Sequence, residues 1–96
     1  MEDTRFPIAQ WVIDRIRRRY PGAALQAIKP GEKHETGCTY WCGYWGQTYT
    51  CTAVDHDAPV WGETYTCVWE DGHTTTHSTP LDPRRDLRII VEEDRT

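Results

Sequence analysis

One seven-residue string, written twice, limits what this chain can become. Residues 45–51 read WGQTYTC and residues 61–67 read WGETYTC, so the copies differ only at Gln47 and Glu63. Alternating Thr-Tyr-Thr favours β-structure, because β-branched and aromatic side chains suit a pleated, half-buried surface. In an extended chain alternate residues share a face. Trp45, Tyr49 and Cys51 fall on one side, with Thr48, Thr50 and Thr52 on the other. The second copy likewise sets Trp61, Tyr65, Cys67 and Trp69 against Thr64, Thr66 and Val68. The expected arrangement buries the aromatic and thiol face against a helix and turns the threonines outward. Gln47 and Glu63 share the inward face near its start, where they are expected to reach solvent at the sheet rim. Similar answers to similar strand positions, or duplication of one strand unit, both account for the repeat. Two copies are too few for a solenoid.

A chain of 96 residues is expected to form one domain, residues 1–96, with a small core. Aliphatic residues are sparse, and eight of the eleven aromatics lie between Tyr40 and Trp69. Each aromatic side chain can bury roughly 150–250 Å², so this cluster is the natural centre of the core.

Ahead of it, an amphipathic helix is expected over about residues 5–19, capped by Asp3 or Thr4 and ended by Tyr20-Pro21-Gly22. At 100° per residue Ile8, Ala9, Val12, Ile13, Ile16 and Tyr20 share one arc, which is a core face. Trp11 projects from the opposite side beside Asp14, Arg15 and Arg18. Residues 23–29 read as a short strand closed by Pro30-Gly31, and LRIIVEE near the end reads as a closing strand. The β-rich part is expected over residues 24–92 with four to six strands, followed by a frayed tail at 93–96. Asp71-Gly72 reads as a two-residue hairpin turn, which places Glu70 opposite His73, Trp69 opposite Thr74, Cys67 opposite Thr76 and Thr66 opposite His77. The fold class is α+β: an N-terminal amphipathic helix packed on a twisted antiparallel sheet or a partly open small barrel.

The segment YTCVWEDGHTTTH resembles the strand–turn–strand of small SH3-like barrels, Tudor-type modules included. The resemblance covers about 15 residues. It implies a curled sheet of about five strands and a binding rather than catalytic role. No aromatic-cage pattern aligns with it.

Chemistry-bearing patterns are few. Cys38, Cys42, Cys51 and Cys67 are separated by three, eight and fifteen residues, and only the first pair has the spacing of a zinc knuckle. Free thiols are the expected state. The alternatives are zinc, with His34, His56, His73 or His77 completing the ligand set, and a disulfide. His73 and His77 can share a strand face, but no HExxH, nucleophile elbow or Gly-rich phosphate loop is present, so no catalytic residue and no cofactor is assigned. Asp55, Asp57, Glu63, Glu70 and Asp71 read as turn or strand-end carboxylates. An enzyme is not expected.

Charge is segregated. Residues 1–33 carry seven Lys/Arg against four Asp/Glu (+3), and residues 34–96 carry four against eleven (−7). The acidic body argues against general nucleic-acid binding, where phosphate neutralisation dominates affinity. The acidic start Met1-Glu2-Asp3 with no apolar run after it, and the lack of any stretch of about 18 apolar residues, lead to the expectation of a cytoplasmic protein without a membrane role. The basic end offers the partner-binding candidates. These are Trp11, Arg15, Arg18 and Arg19 on the helix, with Arg84 and Arg85 in the proline-marked loop if the fold brings them near. Trp beside Arg is the composition of interface hot spots. The leading expectation is a small protein-binding module that occupies a partner's surface, in the manner of a phage or mobile-element inhibitor of a host complex. The second is a nucleic-acid binder using the basic-aromatic helix patch, and the third a zinc-stabilised domain or metal-dependent enzyme. The free-thiol reading predicts a native mass with no bound metal and four titratable thiols in denaturant; one zinc per chain would reverse it.

Overall fold

The computed structural model describes residues 8–58 and 62–91. It is an α+β domain of one helix and a six-stranded antiparallel sheet that does not close on itself. Helix α1 spans Gln10–Arg19; the strands are β1 Ala24–Ala27, β2 Thr39–Cys42, β3 Gln47–Ala58, β4 Gly62–Trp69, β5 Thr74–His77 and β6 Leu87–Ile90. They lie in the order β1-β6-β2-β3-β4-β5. The C-terminal strand is therefore not a closing edge. It inserts between β1 and β2, with Leu25 opposite Ile89 and Thr39 opposite Ile89 on its two sides. No helix among the described residues is long and apolar enough to cross a membrane.

The helix starts later than its apolar periodicity suggests. Ala9 is extended (φ −66°, ψ 146°), and its carbonyl accepts the first bonds from Val12 and Ile13. Ile8 and Ala9 thus precede the helix, and the expected caps Asp3 and Thr4 lie outside the described residues. Three arginines, 17 to 19, occupy the last turn, where cations favour the negative end of the helix dipole. Ile16 is fully buried, and Ile8, Val12 and Tyr20 pack beside it against Ala23, Trp41, Leu87 and Ile89.

The aromatic and thiol face is on the other side of the sheet. Tyr40, Tyr49, Cys51, Cys67 and Trp69 form a second cluster with Ile28 and Leu81, joined by the half-buried Tyr65. The expectation that the helix covers this face is wrong, because Trp41, Leu87 and Ile89 present a more aliphatic surface for it on the opposite side. Segments on either side of Ile28 and Leu81 cover the aromatic face instead. Arg88 on β6 ties the first of them down, reaching Glu32 Oε2 (3.4 Å), Glu35 Oε1 (3.0 Å) and Cys38 Sγ (3.1 Å).

Gln47–Cys51 of the first heptad and Gly62–Cys67 of the second lie in adjacent strands, with Trp61 outside the described residues, and the strands meet at their cysteines: Cys51 faces Cys67 directly and both are wholly buried. A register shift between Cys51 and Ala53 leaves Thr52 as an extra residue. Beyond it the alternation inverts, so Val54 turns inward opposite Tyr65, as a β-bulge requires. The β4–β5 hairpin also differs from expectation. Cys67 faces Thr75, and Trp69 N–H donates to His73 O (2.9 Å), so the loop holds three residues, Glu70-Asp71-Gly72. Gly72 takes φ +93°, the left-handed position at which a three-residue hairpin loop favours glycine. That extra residue moves every pairing on β5 by one.

The outward threonine face is not uniformly wet either. Thr48 is fully buried on the helix side. Its amide (2.7 Å) and hydroxyl (2.9 Å) both donate to Glu70 Oε2, while Arg15 donates to Glu70 Oε1 (2.5 Å). Burial pushes the Glu70 carboxyl up, but Arg15 and the two Thr48 bonds outweigh it and hold it below the usual range. Glu70→Ala would leave a buried amide and a guanidinium without their acceptor, so a loss of about 2–3 kcal/mol in urea unfolding is expected, with Glu70→Gln intermediate.

Candidate aromatic groove

Four residues, Gly43-Tyr44-Trp45-Gly46, turn β2 into β3, and Gly46 N–H donates to Cys42 O (2.8 Å). At this tip Tyr44 is 70% and Trp45 62% exposed, their rings edge to face at 5.1 Å. Two large aromatics left in water at one loop are an unsatisfied apolar surface, and they stand over a groove. Its floor is the aromatic face: Trp69 lies 4.8 Å from Tyr49, and Tyr65 stacks on Tyr49 at 6.3 Å. One cavity of about 340 Å³ runs from Tyr44 and Trp45 across Tyr49 and Trp69 to Arg85. A second, also about 340 Å³, lies between Trp45, Trp69 and the β5 residues Thr75 and His77. Trp69 is held in place by its own polar handle: Nε1–H donates to Thr75 Oγ1 (2.7 Å), which also bonds His77 Nε2 (2.7 Å). His73 and His77 flank the indole at 6.2 Å each, one stacked and one edge-on.

The groove's far wall comes from the proline-marked loop, which is built rather than loose. Asp86, only 4% exposed, accepts from Gly43 N (3.0 Å) and Asp82 N (2.9 Å) and pairs with Arg85 Nε (3.3 Å). The loop packs so closely that a Cβ on Gly43 would collide with the Arg85 backbone. This clamp lays the Arg85 guanidinium over the Tyr44 ring at 5.7 Å.

The candidate residues named from sequence do not form one patch. Trp11 is 63% exposed but rests edge-on against Trp41 at 6.1 Å. Arg15 is committed to Glu70. Arg18 is exposed, and Arg19 lies over Tyr20 at 5.5 Å. Arg84 is exposed beside Asp82 (3.5 Å), and Arg85 belongs to the aromatic groove on the face away from the helix. The alternation expected Trp45 on the buried face and gave Tyr44 no role; the structure leaves both exposed, because Gly43 and Gly46 bracket them in a turn where the pleat has not begun.

Burial raises the thiols of Cys42, Cys51 and Cys67, which keeps them protonated and unreactive. Burial likewise pushes the Tyr40 hydroxyl up to about 12 and that of Tyr49 higher still. Among the described residues no three His, Cys, Asp or Glu side chains converge as a metal set.

His34 closes the cluster's other end, stacked on Tyr65 at 3.5 Å and bonded through Nε2 to Tyr49 Oη (2.8 Å). Burial, then the nearby His77, lowers it to about 4 against the opposing pull of Glu63. An unfolded histidine, titrating near 6.5, therefore binds protons that the folded one refuses. The His34 contribution to stability should fall as pH drops from about 6.5 to 4 and level off beneath both values. Glu70, Asp71 and Asp82 are held low and titrate below most of that window. Urea midpoints measured across it should decline in the wild type and stay flatter in His34→Gln.

Comparison with protein-family models, curated proteins and solved structures finds no match, so the functional reading rests on this geometry.

Proposed function

We propose that the chain is a small non-enzymatic protein-binding module that acts by occupying a partner's surface, with the aromatic groove as its contact site. The observation that carries this is the exposed Tyr44–Trp45 pair standing over a preformed aromatic floor. Aromatic anchors beside an arginine supply most of the energy at protein interfaces, because they bury large rigid surfaces at small entropic cost. Thiols and phenols held protonated favour binding over catalysis. The likeness of Tyr65–His77 to the strand–turn–strand of SH3-like modules points the same way. The acidic body favours a protein over a nucleic acid as partner. Occupation of a surface, without chemistry, is the mode by which a small inhibitor works.

The helix residues Trp11, Arg15, Arg18 and Arg19 are the competing surface. Two double variants separate the sites: Tyr44→Ser/Trp45→Ser and Trp11→Ser/Arg18→Glu. Both keep the buried clusters intact, so near-wild-type unfolding midpoints are expected. A partner captured from source cells should be lost by the groove variant, with affinity reduced at least about 30-fold (roughly 2 kcal/mol), and kept by the helix variant. The reverse pattern would assign function to the helix. Affinity for single-stranded DNA or RNA that falls steeply with salt would assign it to nucleic acid.

A further inference from the structure

The groove borders a strand edge that nothing among the described residues pairs with. β5 is the last strand of the sheet, bonded only to β4. In an antiparallel ladder, hydrogen-bonded and non-bonded pairs alternate. Trp69 N–H donates to His73 O, so Trp69/His73, Cys67/Thr75 and Tyr65/His77 are the bonded pairs. Thr74 and Thr76 therefore aim their N–H and C=O groups away from β4, toward open solvent. Natural sheets usually guard such an edge with lysine, proline, a bulge or a covering loop. This one reads Thr74-Thr75-Thr76-His77, with none of those residues and no break in its register.

We infer that β5 accepts an extended strand from a partner protein, whose backbone bonds Thr74 and Thr76 while one large apolar side chain enters the groove between Trp45 and Trp69. This rests on the binding-module reading and specifies how that module recognises its partner. The pleat decides which partner residues matter. Those opposite Thr75 and His77 project onto the aromatic face, and neighbouring strands lie only about 4.8 Å apart. The residue opposite Thr75 meets the cavity lined by Trp45, Trp69 and His77. Two positions on, the residue opposite His77 meets the cavity that Arg85 shares with His77. Arg85 uses Nε on Asp86, and its terminal nitrogens have no acceptor among the described residues. A partner carboxylate there can accept hydrogen bonds from those terminal nitrogens. The partner strand thus reads apolar-x-acidic on one face. Self-pairing of β5 with a second copy of this chain does not fit, because it would set threonine or histidine opposite Thr75 and leave the groove empty.

The test uses the full chain and a displayed library of random peptides. Selected peptides should carry a large apolar residue and, two positions away, Asp or Glu. On titration they should move the amide resonances of Thr74–His77 and protect the Thr74 and Thr76 amides from exchange. Backbone N-methylation of the peptide leaves the protein unaltered. Methylating the two residues that face Thr74 and Thr76 should weaken binding at least about ten-fold, and methylating their neighbours should not. Arg85→Gln should weaken an acidic peptide but not its amide counterpart. Peptides that require Tyr44 and Trp45 yet tolerate methylation at every position would overturn strand addition and leave the groove as the binding surface. A library yielding no ligand overturns both readings. Self-association with Thr74 and Thr76 protected in the absence of peptide would overturn the choice of occupant.

Discussion

One helix cannot cover both faces of a six-stranded sheet. A helix is about 10 Å wide, neighbouring strands lie about 4.8 Å apart, and each strand shows side chains to both sides. In this chain α1 takes the aliphatic side, where Ile16 meets Trp41, Leu87 and Ile89. Among the described residues, the other side, with Tyr40, Tyr49, Cys51, Cys67 and Trp69, has only connecting segments to shield it. Ile28, His34 and Leu81 cover its centre. Toward β5 and the β2–β3 turn the cover runs out, and the groove is what remains.

Polar groups hold this unequal packing together, and each is satisfied by a partner distant in the chain. Glu70 links the β4–β5 hairpin to Arg15 on the helix and to Thr48 on β3. Arg88 joins the last strand to Glu32 and Glu35. Asp86 fastens its loop to Gly43. Partly buried charges of this kind add little net stability when intact but leave a costly orphan when one partner is removed, so they specify the arrangement more than they strengthen it. The Asp86 link fixes the groove wall, with Arg85 laid over Tyr44, and Trp69 beside it is braced by Thr75.

The strands, the helix and the inward direction of Tyr49, Cys51, Cys67 and Trp69 were all legible in the residues, because a period of two or 3.6 is a local property of the chain. Trp45 shows where alternation stops being informative. It shares their parity, yet it sits in the turn before Gln47, where the pleat has not begun. Val54 escaped the same rule through the extra residue at Thr52, and the β5 register escaped it through the left-handed Gly72. A single added residue moves side chains across a sheet, and its local sequence mark is slight.

Residue types and their order determined an aromatic core, a β-rich body and an amphipathic helix, since each follows from side-chain size, branching and spacing. Which face the helix covers, and where the final strand inserts, were decided only by tertiary packing. Those choices depend on how well whole surfaces fit, and Leu87 and Ile89 join the helix side only once β6 lies between β1 and β2. The same insertion carries Asp86 and Arg85 to Gly43 and Tyr44, more than 40 residues away in the chain. A groove assembled from such separated parts has no local signature, because its shape is a property of the packed sheet and not of any one segment.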